Sequence, residues 1–215
     1  MRTRVKICCI SSLEEARLAV SLGADALGLV GPMPSGPGVL DDATIQSIAR
    51  VVAPPVARFL LTSRTSPDAV VEHALASGVD TVQLVDTVAL DTYAALRSRA
   101  PHVRVVQVLH VEGPEVVEEA TRLAPLVDAL LLDSGRPNAA VRELGGTGRV
   151  HDWRWSRAVV DAVSCPVFLA GGLSADNARR AIDEVAPFGL DVCSGVRTAG
   201  ALDQEKLRAL MAILS

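Results

Sequence analysis

The chain has 215 residues, of which 49% are hydrophobic and 3% aromatic, and it carries a formal net charge of −4. That length holds one sizeable core, the apolar content excludes a disordered chain, and the charge argues against broad nucleic-acid binding. No uninterrupted apolar run is long enough to span a membrane, and the apolar stretch in MRTRVKICCI is too short for a signal peptide, so a cytoplasmic protein with no nucleic-acid or membrane partner is expected.

Short apolar runs alternate with amphipathic stretches. Residues 5–8 read as a first strand, and Ser12 followed by Glu15 resembles a capping box opening a helix that runs to about Leu22 and stops at Gly23. Residues 26–30 form the second strand, followed by a loop over 31–38 with three Pro and three Gly, then a helix over 41–52 that ends before Pro54 and Pro55. Residues 56–61 are the third strand; a helix over 67–77 follows, with Ser66 at its N-cap and Gly78 past its end. The remaining strands are predicted at 81–84, 103–109, 129–132, 167–170 and 190–193. Helices at 90–99, 114–124, 153–163, 176–184 and 203–214 alternate with them.

Eight strand signals alternating with helix signals imply a parallel sheet, and the Ala, Val and Leu content suits strands buried on both faces. A closed barrel and an open doubly wound sheet both fit this order. Length and repeat favour the barrel, and no GxGxxG follows the first strand. The expected fold is therefore α/β: a single parallel (β/α)8 TIM barrel, one domain over residues 1–215.

Three glycine-rich segments fall late in the chain: Gly145-Gly146-Thr147-Gly148, Gly171-Gly172 and Ser194-Gly195. Glycine lets backbone N–H groups approach an anion, and in such barrels a phosphate commonly sits after the seventh and eighth strands. A phosphorylated small molecule is the expected ligand, with Gly145, Gly146, Gly148, Gly171, Gly172, Ser194 and Gly195 as its phosphate site; taken singly, each would be an ordinary turn.

Strand alternation puts Lys6 and Cys8 on one face and turns Cys9 away. If that face lines the barrel, an ammonium lies below a thiol near the mouth, a setting in which a thiolate can act as a base. The plainer reading of Cys8 is a small buried hydrophobe. Asp133 closes the apolar run at 129–132 and faces the mouth as a general-acid candidate, or else starts a turn at Ser134-Gly135. Cys8, Cys9, Cys165 and Cys193 form no CxxC pair. Neither they nor His73, His102, His110 and His151 have metal-ligand spacing, so no metal or cofactor is expected.

The order and spacing of these segments resemble the phosphoribosylanthranilate isomerases of tryptophan biosynthesis over nearly the whole chain. The likeness rests on Lys6-Ile7-Cys8, Gly23-Ala24-Asp25-Ala26 with Gly28, Val82-Gln83-Leu84 and Leu131-Leu132-Asp133-Ser134. It continues through the 145–148 glycines with Asp152-Trp153, Leu169-Ala170-Gly171-Gly172-Leu173 with Asn177, and Asp191-Val192 with Ser194-Gly195-Val196. The resemblance implies a cofactor-independent barrel, monomer or homodimer, that performs an Amadori rearrangement of an aminoaldose phosphate to an aminoketose phosphate. It implies Asp133 as the acid that opens the furanose and Cys8 as the base at the sugar C2. Lys6 and Gln83 are further substrate-binding candidates.

Four positions depart from the family's pattern. Pro37 stands where an Arg holding the anthranilate carboxylate is expected, Val85 replaces a His, Cys9 a Gly and Cys193 a Ser. Arg136 is the first candidate to take over the carboxylate. A paralogue with another phosphorylated ligand, and a non-catalytic barrel that binds a metabolite or partner, remain as alternatives at this point.

Overall fold

Each apolar run is bounded by residues that stop it, and in the computed structural model, which describes residues 2–33, 37–135 and 151–214, all eight runs become strands. They are β1 (Arg4–Ile7), β2 (Ala26–Val30), β3 (Ala57–Thr62), β4 (Thr81–Leu84), β5 (Arg104–His110), β6 (Ala129–Asp133), β7 (Val167–Leu169) and β8 (Gly189–Val192). Each pairs in parallel with its sequence neighbours, and β8 returns to β1 to close the barrel. Alternating with them are α1 (Leu13–Ser21), α2 (Asp42–Val51), α3 (Pro67–Ser77), α4 (Leu90–Arg99), α5 (Glu115–Leu123), α6 (Trp153–Ala162), α7 (Ala175–Val185) and α8 (Gln204–Leu214). The expected parallel (β/α)8 barrel is observed. Among the described residues, no helix is long and apolar enough to cross a membrane.

Local chemistry accounts for most boundaries. Ser12 caps α1 by accepting the Glu15 N–H at 3.2 Å, but Glu15 does not close the expected box on the cap residue. Its carboxylate accepts from the Ser11 N–H instead and pairs with Arg197, 182 residues away. Ser66 precedes α3 without a side-chain cap bond, and Pro67, with its fixed φ, starts that helix. A short antiparallel ribbon, β9 (Arg197–Thr198) with β10 (Ala201–Leu202), lies between β8 and α8. Two residues per strand leave no periodicity to read, so the sequence does not announce it.

Alternation along the strands divides the apolar side chains into two layers. Ile7, Leu27, Leu60, Leu84 and Leu130 face outward and pack beneath the helices with Ile45, Ile48, Leu96 and Leu207. Phe59, Leu61, Val106, Val108, Leu131 and Phe168 fill the barrel. Phe59 meets Phe168 edge-on at 5.9 Å, the larger bulk that an otherwise aliphatic interior needs.

The N-terminal end of the barrel repeats one device three times. Asp25, Asp80 and Asp128 each sit just before an even-numbered strand and accept the backbone N–H of Val5, Arg58 and Val105 on the preceding odd strand, at 2.8, 2.9 and 2.8 Å. Each also holds a strand-start arginine: Arg4, Arg58 and Arg104. Burial raises the Asp128 carboxyl, but the Val105 N–H and the guanidinium groups of Arg97 and Arg104 outweigh it and hold its pKa below the usual range. Asp128→Ala strands that N–H and both guanidinium groups, so urea unfolding of the variant is expected to show a loss of about 1–3 kcal/mol. The depressed pKa makes the Asp128 contribution complete above the ordinary carboxylate range and lost as pH falls through the folded value, so the gap between variant and parent should narrow in acid.

Candidate active site at the barrel mouth

The interior face of β1 carries Lys6 and leads to Cys8 at its C-terminal end, as alternation predicts. Lys6 is fully buried. Its ammonium lies 2.8 Å from Asp191 on β8 and 3.5 Å from the Cys8 Sγ, and 5.3 Å above the Phe59 ring. Lys6 and Asp191 are direct register partners across the β1–β8 seam. Burial lowers the lysine pKa, but the charges of Asp191 and Cys8 outweigh that and leave it raised, so the ammonium persists. The ion pair escaped the sequence reading because its members are 185 residues apart. The available signal was an acid in the middle of an otherwise apolar strand, alternating with Gly189 and Cys193.

Glycine makes room for this cluster. A Cβ on Gly28 would lie 2.9 Å from the Cys8 Sγ and 3.1 Å from the Lys6 Nζ. Asp133 ends β6 at the same mouth and is 8% exposed. Burial pushes its carboxyl up to about 6, the negative charge of Asp191 adding to that against the Ser134 N–H and the Lys6 charge. The Ser134 N–H donates to Asp133 Oδ1 at 2.7 Å, orienting the group. The structure thus brings Lys6, Cys8, Asp191 and Asp133 into one electrostatic unit. Gln83, on the interior face of β4, is 3% exposed, and its Oε1 has no donor among the described residues.

Cys9 does not point away. Its φ of +60° breaks the alternation, and the side chain joins Cys8 in the interior cluster, with its Sγ 2.8 Å from that of Cys193. A residue with a Cβ in this left-handed region costs roughly 1–2 kcal/mol. Arg197 reinforces the turn, since its guanidinium donates to the carbonyls of Cys8 and Cys9 and is gripped by Glu15 at 3.0 Å.

Two of the three glycine segments lie together over the ends of β7 and β8. Gly171 and Gly172 have φ of +89° and +62°, and Asn177 of α7 ties them down by donating to the Gly172 carbonyl at 2.9 Å. Gly195 packs so closely on this loop that a Cβ there would fall 1.9 Å from the Leu173 carbonyl oxygen. Ser194 beside it is exposed. Gly145, Gly146, Thr147, Gly148 and Arg136 lie outside the described residues. A cavity of about 520 Å³ opens beside the mouth over β4 and β5, but Asp86, Glu112, Glu115 and Glu119 line it, which suits a phosphate poorly. Among the described residues, no group of His, Cys, Asp or Glu is arranged to hold a metal ion.

The fold and this cluster define a parallel barrel with a thiol and a raised-pKa carboxyl at its C-terminal mouth, next to two glycine loops. The family model for N-(5'-phosphoribosyl)anthranilate (PRA) isomerase matches residues 5–212. The N-(5'-phosphoribosyl)anthranilate isomerase 2 of Methanosarcina mazei is 35% identical over 203 residues, covering 94% of this chain and 89% of that relative. The crystal structure of the phosphoribosyl anthranilate isomerase of Thermus thermophilus superimposes with a TM-score of 0.83 at 30% identity, covering 99% of this chain and 98% of that one. A further isomerase structure, in complex with reduced 1-(o-carboxyphenylamino)-1-deoxyribulose 5-phosphate, has a TM-score of 0.81 at 27% identity, covering 99% and 98% of the two chains. The chain belongs to the phosphoribosylanthranilate isomerase family.

The buried ion pair generates a stability test. Asp191→Asn leaves a fully buried ammonium without its counter-charge and is expected to cost on the order of 3–5 kcal/mol in chemical denaturation. Adding Lys6→Met to that variant removes the orphaned charge, and the double variant should regain a large part of the loss.

Proposed function

We propose that the chain is a single-domain, cofactor-independent isomerase of the cytoplasm that converts N-(5'-phosphoribosyl)anthranilate to its aminoketose phosphate by an Amadori rearrangement. The observation that carries this reading is the presence of a carboxyl with a raised pKa, Asp133, and of Cys8 above a buried ammonium at one barrel mouth. The ligand-bound relative supports a sugar phosphate as the substrate class.

In this reading Asp133 protonates the furanose ring oxygen as the ring opens, and an iminium results. Cys8 then removes the proton from the sugar C2, giving an enolamine that relaxes to the ketone. A carboxyl can donate only when protonated, and burial keeps Asp133 partly so up to about pH 6. The Lys6 ammonium donates to the Cys8 Sγ at 3.5 Å and holds the sulfur that accepts the proton in place. Backbone N–H groups of Gly171, Gly172 and Gly195, with the Ser194 hydroxyl, hold the phosphate together with the 145–148 segment. Gln83 offers a substrate hydroxyl its Oε1, which has no donor among the described residues. Arg136 remains our candidate for the carboxylate partner, because Pro37 carries no charge and Val85 is buried in the apolar interior.

The direct test is turnover of N-(5'-phosphoribosyl)anthranilate by the purified chain, with complementation of a strain lacking this step. Inactivity in both sinks the reading. Cys8→Ala and Asp133→Asn are each expected to reduce kcat by at least ~10²–10⁴-fold while leaving inorganic-phosphate affinity nearly unchanged, the range typical of acid–base catalysis. Near-parental rates in either variant would remove that residue from the mechanism. Because the Asp133 pKa is raised to about 6, its acid form shrinks as pH increases through that value. The kcat/KM profile should therefore carry a descending limb with its midpoint near there.

A further inference from the structure

Cys9 and Cys193 take no part in the proposed rearrangement, yet the fold sets them against each other next to two residues that do. The β1–β8 seam is held up to the mouth by the Cys8 N–H, which donates to the Val192 carbonyl at 2.9 Å. Beyond it, the left-handed turn at Cys9 swings that side chain across to Cys193, and the two sulfurs share a hydrogen bond at 2.8 Å. Cys9 is buried and Cys193 half-buried, so Cys193 is the more accessible of the two. Arg197, clamped by Glu15, holds the Cys8 and Cys9 carbonyls and fixes the turn. We propose that Cys9 and Cys193 form a reversible thiol–disulfide modification site, oxidised by a low-molecular-weight disulfide, that slows the adjoining catalytic centre. The inference goes beyond the isomerase reading and rests on different residues.

The two thiols are unequal in the way that exchange chemistry needs. Its hydrogen bond with Cys9 lowers the Cys193 pKa, and the charges of Arg197 and Lys6 add to this against burial. The Cys9 thiol is pushed up by its hydrogen bonds with Cys193 and Cys8 and by burial. Cys193, the less buried of the two, meets the disulfide first and attacks it as the thiolate. It displaces one thiolate from the disulfide RSSR and forms a mixed disulfide. Cys9 then loses its proton to solvent and attacks the Cys193 sulfur, and the second RS⁻ leaves. The protein loses two electrons and two thiol protons, and RSSR becomes two RSH. A disulfide has its sulfurs at ~2.05 Å, so closing the bond needs an approach of less than about 1 Å. The bond would tether the residue after Cys8 to the residue before Ser194. Misplacement of catalytic groups by about 1 Å can cost 10²-fold, so a smaller shift is expected to lower kcat on the order of tenfold.

The test incubates the full chain with oxidised glutathione, then alkylates, digests and maps it by mass spectrometry, with turnover measured in parallel. The expected result is a linked Cys9–Cys193 peptide, an intact mass lower by two hydrogens, and a kcat reduced about tenfold that dithiothreitol restores. Cys9→Gly and Cys193→Ser should keep parental turnover and give no linked peptide, and Cys193→Ser should lose the sensitivity. Absence of the linked peptide overturns the proposal, and so does a linked peptide with unchanged turnover. Undiminished sensitivity in Cys193→Ser overturns it as well, since neither the mixed disulfide at Cys193 nor the cross-link can form in that variant. Inactivity of the reduced protein counts against the isomerase reading instead, and the peptide map still decides whether the cross-link forms.

Discussion

A lysine side chain with no solvent exposure has to be paired, and the Lys6–Asp191 contact at 2.8 Å is the constraint around which the barrel mouth is organised. The two residues face each other directly in the register that joins the first strand to the last. A slip of one residue along that seam would turn one of the two charges into the apolar layer beneath the helices and leave the other without its partner. The ion pair therefore works as a register lock on barrel closure. Its floor is apolar: the ammonium lies over Phe59, which meets Phe168 edge-on, and Phe168 in turn meets Phe188 at 5.3 Å. Gly28 leaves space for the polar layer and Gly189 for the aromatic one, where a Cβ would lie 2.7 Å from the Phe168 ring.

The same pair shapes the chemistry above it. Asp191 and Lys6 push the Asp133 carboxyl in opposite directions, and burial settles the outcome by raising it to about 6. A carboxyl in that position can hold a proton to give away, while the ammonium donates to the Cys8 sulfur that is to receive one. Acid and base thus take opposite characters from one shared neighbourhood, which is how a single mouth supplies both proton transfers without a cofactor in the proposed mechanism.

Much of this was legible in the sequence, and the failures have specific causes. Period-two alternation puts Lys6 under Cys8, and the apolar run into Asp133 places that acid at a strand end, because both inferences use only local geometry. The strand and helix order is readable for the same reason. Alternation failed one residue later, at Cys9, where the chain adopts a left-handed conformation at a residue with a Cβ. The resemblance carried a clue, since the family has Gly at that position, but a propensity for turning does not say which way the side chain will face. Glu15 looked like half of a capping box and turned out to brace Arg197, and Lys6 found Asp191 across the whole chain. Such long-range partners leave no local pattern. The small ribbon of β9 and β10 is too short to show one.

The two ends of the barrel solve different problems with the same residue types. At the N-terminal end, Asp25, Asp80 and Asp128 accept backbone N–H groups and hold arginines at strand starts, tying each odd strand to the even strand that follows. These carboxylates are satisfied, and their work is to fix the strands in place. At the C-terminal end, Asp133 accepts the Ser134 N–H, and burial raises its pKa to about 6. The fourth position in the lower series, just before β8, is Phe188 rather than an acid, and it extends the aromatic stack beneath Asp191. An acid there would bring another negative charge toward the strand that already carries Asp191. The aromatic ring placed there adds no charge and packs edge-on against Phe168 instead.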